Sequence, residues 1–164
     1  MDAEVIDVDD EHLVGSYNAL LVLMWGARTL PEKVATVIVQ AKAFADRWPR
    51  IAMLVVIEKG SEIPGKEARK ELEELAALLQ PVTVGLVYVF EGTGLRASAT
   101  RTLMTALTLV GPPSAKQHKV ARTIDQGLDW LVPLLAGAEF GDEAARRQAV
   151  MDLQQHFIDY RAPK

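Results

Sequence analysis

Apolar residues fall along this chain in short runs and stripes, and the spacing of each run predicts an element. HLVGSY and ALLVLMWG, residues 12–17 and 19–26, flank Asn18 and predict a hairpin, or a bent edge strand leading into a central one. Val34, Ile38, Ala41, Ala45 and Trp48 then recur at helical spacing, with Thr29 expected as the cap and Pro31 in the first turn. Pro49 ends that helix, and IAMLVVI, residues 51–57, reads as a strand apolar on both faces. A Gly, Ser and Pro loop follows. The next helix runs from about Gly65 to Gln80 with Leu72, Leu75, Ala76 and Leu79 inward, while Glu67, Lys70 and Glu74 form a solvated face of weak pairs.

PVTVGLVYVF, residues 81–90, reads as a second buried strand, EGTG as a tight connection, and residues 95–110 as a helix apolar around most of its circumference. GPPSAK is a loop and QHKVAR a short strand with polar edges. Thr123 caps a helix carrying Leu128, Trp130, Leu131 and Leu134, in which Pro133 marks a kink or an early end. After GAEFGDE, a last helix carries the stripe Ala149, Val150, Leu153, Phe157 and Tyr160. Strands alternating with helical crossovers of a dozen or more residues give the α/β class. The expected architecture is a single mostly parallel sheet with a leading antiparallel strand, helices packed around it, and an extra C-terminal helix. Residues 1–11 are expected as an acidic flexible tail, 12–136 as the α/β domain, and 137–164 as a linker and amphipathic helix.

Charge adds an asymmetry. The 164 residues carry a formal charge of −4, yet residues 2–11 hold six of the 22 acids and none of the 18 bases. Between Glu91 and Asp125 no acid occurs, whereas Arg96, Arg101, Lys116, His118, Lys119 and Arg122 do. That window is open to an anionic ligand, an acidic partner, or the chain's own acidic start, although solvated ends of apolar elements explain it as well. Nucleic acid is disfavoured, because no aromatic residues are interleaved with the bases. The acidic start is the opposite of a secretory signal and no apolar run approaches the length of a membrane span, so a cytoplasmic place is expected. Without cysteine there is no disulfide, thiolate metal site or cysteine nucleophile.

In parallel sheets the carboxyl ends of the strands share one edge, where sites usually lie. That rule gathers three distant loops and the candidate binding residues Arg28, Thr29, Glu58, Lys59, Gly60, Ser61, Glu91, Gly92, Thr93, Gly94 and Arg96. Gly92 and Gly94, with Arg96 or Arg28, would suit an anion at a helix start. Glu58 and Glu91 each end a strand and would suit acid–base work, or simply mark where the strands leave the core. His12, His118 and His156 lack metal-ligand spacing and read as surface or capping residues, and no cofactor or metal is implied. Trp25, Trp48 and Trp130 read as packing.

The order of elements, closing on TIDQGLDWL with Asp129, Trp130 and Leu131, resembles the STAS-like modules related to the sporulation anti-anti-sigma factor, in particular the SpoIIAA-like group, over residues 12–135. The resemblance implies a non-catalytic regulatory module that binds a protein, or in some members a lipid or small anion. In phosphorylated members it also implies a serine in an Asp-Ser-Gly context at a strand-to-helix loop. Here the loop reads Lys59-Gly60-Ser61-Glu62-Ile63-Pro64, so only Ser61 matches. Ser61 is therefore expected to be a connector on the rim of the binding edge rather than a phosphosite. A protein partner is expected, and the last helix is expected to pack on the domain or on a second copy as a homodimer; a binder of a small anionic ligand or lipid at the same edge, or an enzyme around Glu58 and Glu91, is the competing reading.

Overall fold

The computed structural model describes residues 2–62, 64–92 and 118–163. They form one six-stranded sheet in sequential order: β1 (Glu4–Val8), β2 (His12–Tyr17), β3 (Leu20–Trp25), β4 (Ile51–Ile57), β5 (Thr83–Phe90) and β6 (His118–Ala121). β1, β2 and β3 pair antiparallel, and β3 to β6 pair parallel. The class is α/β, as the spacing of apolar runs implies.

β2 and β3 turn at Asn18, which takes a positive φ of 51°, a conformation that asparagine tolerates better than most residues. Helices α1 (Pro31–Ala45) and α2 (Lys66–Leu79) carry β3 to β4 and β4 to β5. Both lie on one face of the sheet, where Val34, Val37, Ala41, Phe44, Ala68, Leu75 and Leu79 meet Val14, Leu21, Leu23, Trp25, Met53, Val55 and Leu86. Helices α3 (Ile124–Leu131) and α4 (Glu143–Arg161) cover the other face with Ile124, Leu128, Leu131, Val150, Leu153 and Phe157. Alternation along each strand thus supplies two cores, which is why the central strands are apolar throughout.

Thr123 does cap α3, its side chain accepting from the Gln126 N–H at 3.2 Å, and Pro133 falls in a 3-10 turn just beyond the helix end. Thr29 does not cap α1. The N-cap is Leu30, which makes no side-chain cap hydrogen bond, and Pro31 opens the helix with a fixed φ where no N–H is needed.

One boundary differs from the sequence reading. Residues 4–8 are an edge strand rather than a flexible tail, because pairing with β2 satisfies their backbone while Ile6 and Val8 rest against the two cores. The last helix packs on the domain, one of the two expectations for its apolar stripe, and is part of the core. Leu153 sits directly over Gly15 of β2, where a Cβ would lie 2.6 Å from its Cδ2, and Ala149 and Phe157 are buried beside it. Ala149, Val150, Leu153 and Phe157 are thereby covered within one chain, whereas Tyr160, placed on the same stripe by the sequence, is exposed.

Among the described residues, no helix is long and apolar enough to cross a membrane. The expected helix at 95–110, together with Thr93, Gly94, Arg96, Arg101 and Lys116, lies outside the described residues.

Candidate functional site

Trp25, Ile57 and Phe90 stand side by side at the ends of β3, β4 and β5, so Gly26, Glu58 and Glu91 emerge together from three adjacent strands. The Glu58 N–H reaches the Trp25 carbonyl at 3.1 Å, and the Glu91 N–H reaches the Ile57 carbonyl at 3.1 Å. The carboxyl edge inferred from the sequence therefore does bring the first residues of the three loops together.

Because β2 runs antiparallel to β3, its first residue His12 lies opposite Trp25, and the β1–β2 turn joins the same edge. This acidic turn docks on the neighbouring loop. The Gly26 N–H donates to the Glu11 carbonyl at 2.7 Å, and the Arg28 guanidinium and N–H reach the Glu11 carboxylate at 2.8–3.1 Å. Asp9 receives the N–H groups of Glu11 and His12 at 2.8 and 2.9 Å and pairs with Lys33 of α1. Burial alone would raise the Asp9 carboxyl, but Lys33 and the two backbone N–H groups outweigh it and hold the group below its usual value of 3.8. Asp7, Asp9 and Glu11 are thus engaged by His12, Lys33 and Arg28.

His12 is not a surface residue. It is buried beside β1 and the turn that follows, with Nε2 3.1 Å from Asp7 Oδ2, Nδ1 3.0 Å from Asp9 Oδ1, and its ring 5.7 Å from that of Trp25. The Nδ1 contact has the distance but not the alignment of a hydrogen bond, so the ring holds the turn chiefly through Asp7. His118 is half-buried on β6, where burial lowers its pKa, and His156 is exposed on α4.

Helix α4 crosses over the other side of the edge. Arg161, in its last turn, donates Nη1 to Glu58 Oε2 at 2.8 Å and Nη2 to Glu58 Oε1, a bidentate pair spanning 103 residues of sequence. Gln154 Nε2 reaches Glu91 Oε1 at 3.1 Å. Burial lifts the Glu91 carboxyl above its usual value of 4.5; the Gln154 amide draws it back, and the charge of Glu58 adds to the rise. Glu58 and Glu91 are neighbours, then, but each is already held by α4.

The rim is formed by Arg28, Lys59, Gly60 and Glu62, all exposed, with half-buried Thr29 between Arg28 and α1. Gly60 takes a φ of 81° with open space where a side chain would stand, and Gly92 takes a φ of 119°; both conformations favour glycine. Ser61 is less free than its loop composition implies. Its hydroxyl donates to the Gly26 carbonyl, and the Glu62 N–H reaches the Ala27 carbonyl at 2.9 Å, so residues 61–62 stitch the β4–α2 loop to the β3–α1 loop.

Ser61→Ala is accordingly expected to cost about 0.5–1.5 kcal/mol, more than an exposed loop serine would. Urea unfolding of the two proteins measures it, and a difference indistinguishable from zero would show that the stitch contributes nothing.

Sequence reasoning singled out Glu58, Ser61 and Glu91 but missed Arg161, Gln154, Asp9 and Lys33. A basic residue in a last helical turn already has a local explanation in the helix dipole, so nothing in the sequence pairs Arg161 with Glu58. Among the described residues no group of three or more His, Asp or Glu side chains is arranged to hold a metal ion. No family model, curated protein or solved structure matches this chain.

Proposed function

We propose that this chain is a non-catalytic, STAS-like regulatory module that binds a protein partner through the loops at the carboxyl ends of β3, β4 and β5, in the cytoplasm. The observation that carries the reading is the state of Glu58. Both its oxygens are taken by Arg161, which leaves Glu58 and Glu91 without the free acid and free base that hydrolytic chemistry would need. The exposed groups of the edge are those of a contact rim. Among the described residues there, Asp9, Asp10, Glu11, Glu58, Glu62 and Glu91 outnumber Arg28, Lys33, Lys59 and Arg161, which favours a basic partner over a small anion. Arg28, the described cation best placed for an anion, is committed to Glu11.

Affinity capture on the immobilised full chain, followed by mass spectrometry, tests the reading. The expected result is one stoichiometric protein that is lost from a Lys59→Glu, Glu62→Lys variant with unchanged melting behaviour. A co-purifying small molecule, or capture indifferent to the two reversals, would overturn it.

A further inference from the structure

We infer that the carboxyl edge contains a guanidinium-binding cradle, that Arg161 fills it in cis, and that the protein partner fills it in trans with an arginine of its own. The inference rests on the binding-module reading and names the group that is recognised. Three walls form the cradle. The Glu58 carboxylate offers both oxygens to the two terminal nitrogens of the Arg161 fork, a geometry that a lysine ammonium does not reproduce. The Phe157 ring lies 3.9 Å from the guanidinium carbon, as a cation–π floor. Gly26 forms the third wall, where a Cβ would come within 3.0 Å of Nη1, so the absence of a side chain leaves room for the group. Glu91 stands beside Glu58, which adds to the rise of its pKa, and takes the neutral amide of Gln154.

The occupant is held by little beyond this cradle. Arg161 is the last residue of α4 and is followed by Ala162 and Pro163, so releasing it frays one helical turn and leaves Val150, Leu153 and Phe157 in the core. Its remaining hydrogen bond, Nε to the Phe157 carbonyl at 3.2 Å, lies within that turn. The acidic surplus among the described residues of the rim draws a basic segment towards the edge, and the cradle then selects arginine. Apparent affinity for an incoming arginine scales with the fraction of time the cradle is vacant, so an internal occupant present about nine-tenths of the time weakens binding roughly tenfold.

The test is titration of the full-length chain with N-acetyl-arginine amide, followed by amide chemical shifts, on the wild type and on Arg161→Gln, whose unbranched side chain keeps the last turn helical. Arg161→Ala serves as a second vacated form, and a thermal melt of each variant establishes that it is folded. The expected result is at least tenfold tighter binding to Arg161→Gln than to the wild type. N-acetyl-lysine amide should bind markedly more weakly, and adding Glu58→Gln should abolish binding. Equal affinity in wild type and vacated variants, no binding to either variant, or equal binding of the lysine probe would overturn the inference. Because the probe is a small molecule, its binding is independent of partner capture: saturable arginine binding without any captured protein would leave the cradle standing and remove the partner reading, and the reverse pattern would do the opposite.

Discussion

Removing residues 141–164 is expected to abolish cooperative folding of the remainder. The deletion takes away Val150, Leu153 and Phe157, each no more than 1% exposed, from the face of the sheet formed by Leu13, Leu20, Val22 and Met24. Full burial of such side chains is worth about 1.5–3 kcal/mol each, so the three together supply roughly 5–9 kcal/mol. Domains of this size have a total stability of about 5–15 kcal/mol, and the loss is therefore comparable to the whole. The deletion also uncovers β2, leaving Gly15 without the Leu153 side chain that fills the space above it. Circular dichroism should show no sigmoidal melt for the truncated chain. Phe157→Ala, a single cavity in the same place, should cost about 3–5 kcal/mol by urea unfolding. A truncated protein that melts sharply within a few degrees of the full chain would show that α4 is an accessory after all.

That prediction depends on a relation the sequence displays only in part. The stripe Ala149, Val150, Leu153 and Phe157 is legible as one buried face, but periodicity says that a face is covered and not what covers it. The strands β3, β4 and β5 are legible for a stronger reason: a run apolar on both sides has nowhere to go but between two layers of helices. β1 was hidden by its composition. Asp7, Asp9, Asp10 and Glu11 give residues 2–11 the look of a solvated tail, yet three of these acids find His12, Lys33 and Arg28 only when the sheet brings β1 against β2 and the β3–α1 loop against the turn. The candidate site divides in the same way. Strand ends are local, so Glu58 and Glu91 are visible in the sequence; their partners come from a helix 63 and 103 residues away, and no spacing rule reaches that far.

Arg146 and Arg147 show the same divide at adjacent positions, and their substitution by methionine is expected to differ by several-fold in cost. The Arg146 side chain turns inward and is 5% exposed, donating Nε to the Phe140 carbonyl at 3.2 Å and Nη2 to the Gly141 carbonyl at 3.0 Å. Burial lowers its pKa, with Glu143, Tyr17 and Asp142 pulling the other way. It is the strut that fixes the turn before α4, where Gly141 takes a φ of 67° and packs against Asn18 and Tyr17 of the hairpin. Methionine preserves much of the aliphatic volume but donates nothing, which leaves two carbonyls in a buried site without their partner. The desolvation penalty of such groups, about 1–3 kcal/mol each, puts Arg146→Met at roughly 2–5 kcal/mol. Arg147 faces outward to Asp125 at 3.4 Å, Glu143 at 3.1 Å and Asp129. Three ion pairs look stronger than two carbonyl contacts, but exposed pairs exchange one hydration for another, so Arg147→Met should cost under about 1 kcal/mol and fade further as salt is added. Guanidinium salts would screen the surface pairs, so the comparison is made by urea unfolding at low and high sodium chloride. Equal costs for the two substitutions, or a larger one at Arg147, would mean that the inward guanidinium contributes no more than a surface charge and that the turn before α4 is held by something else.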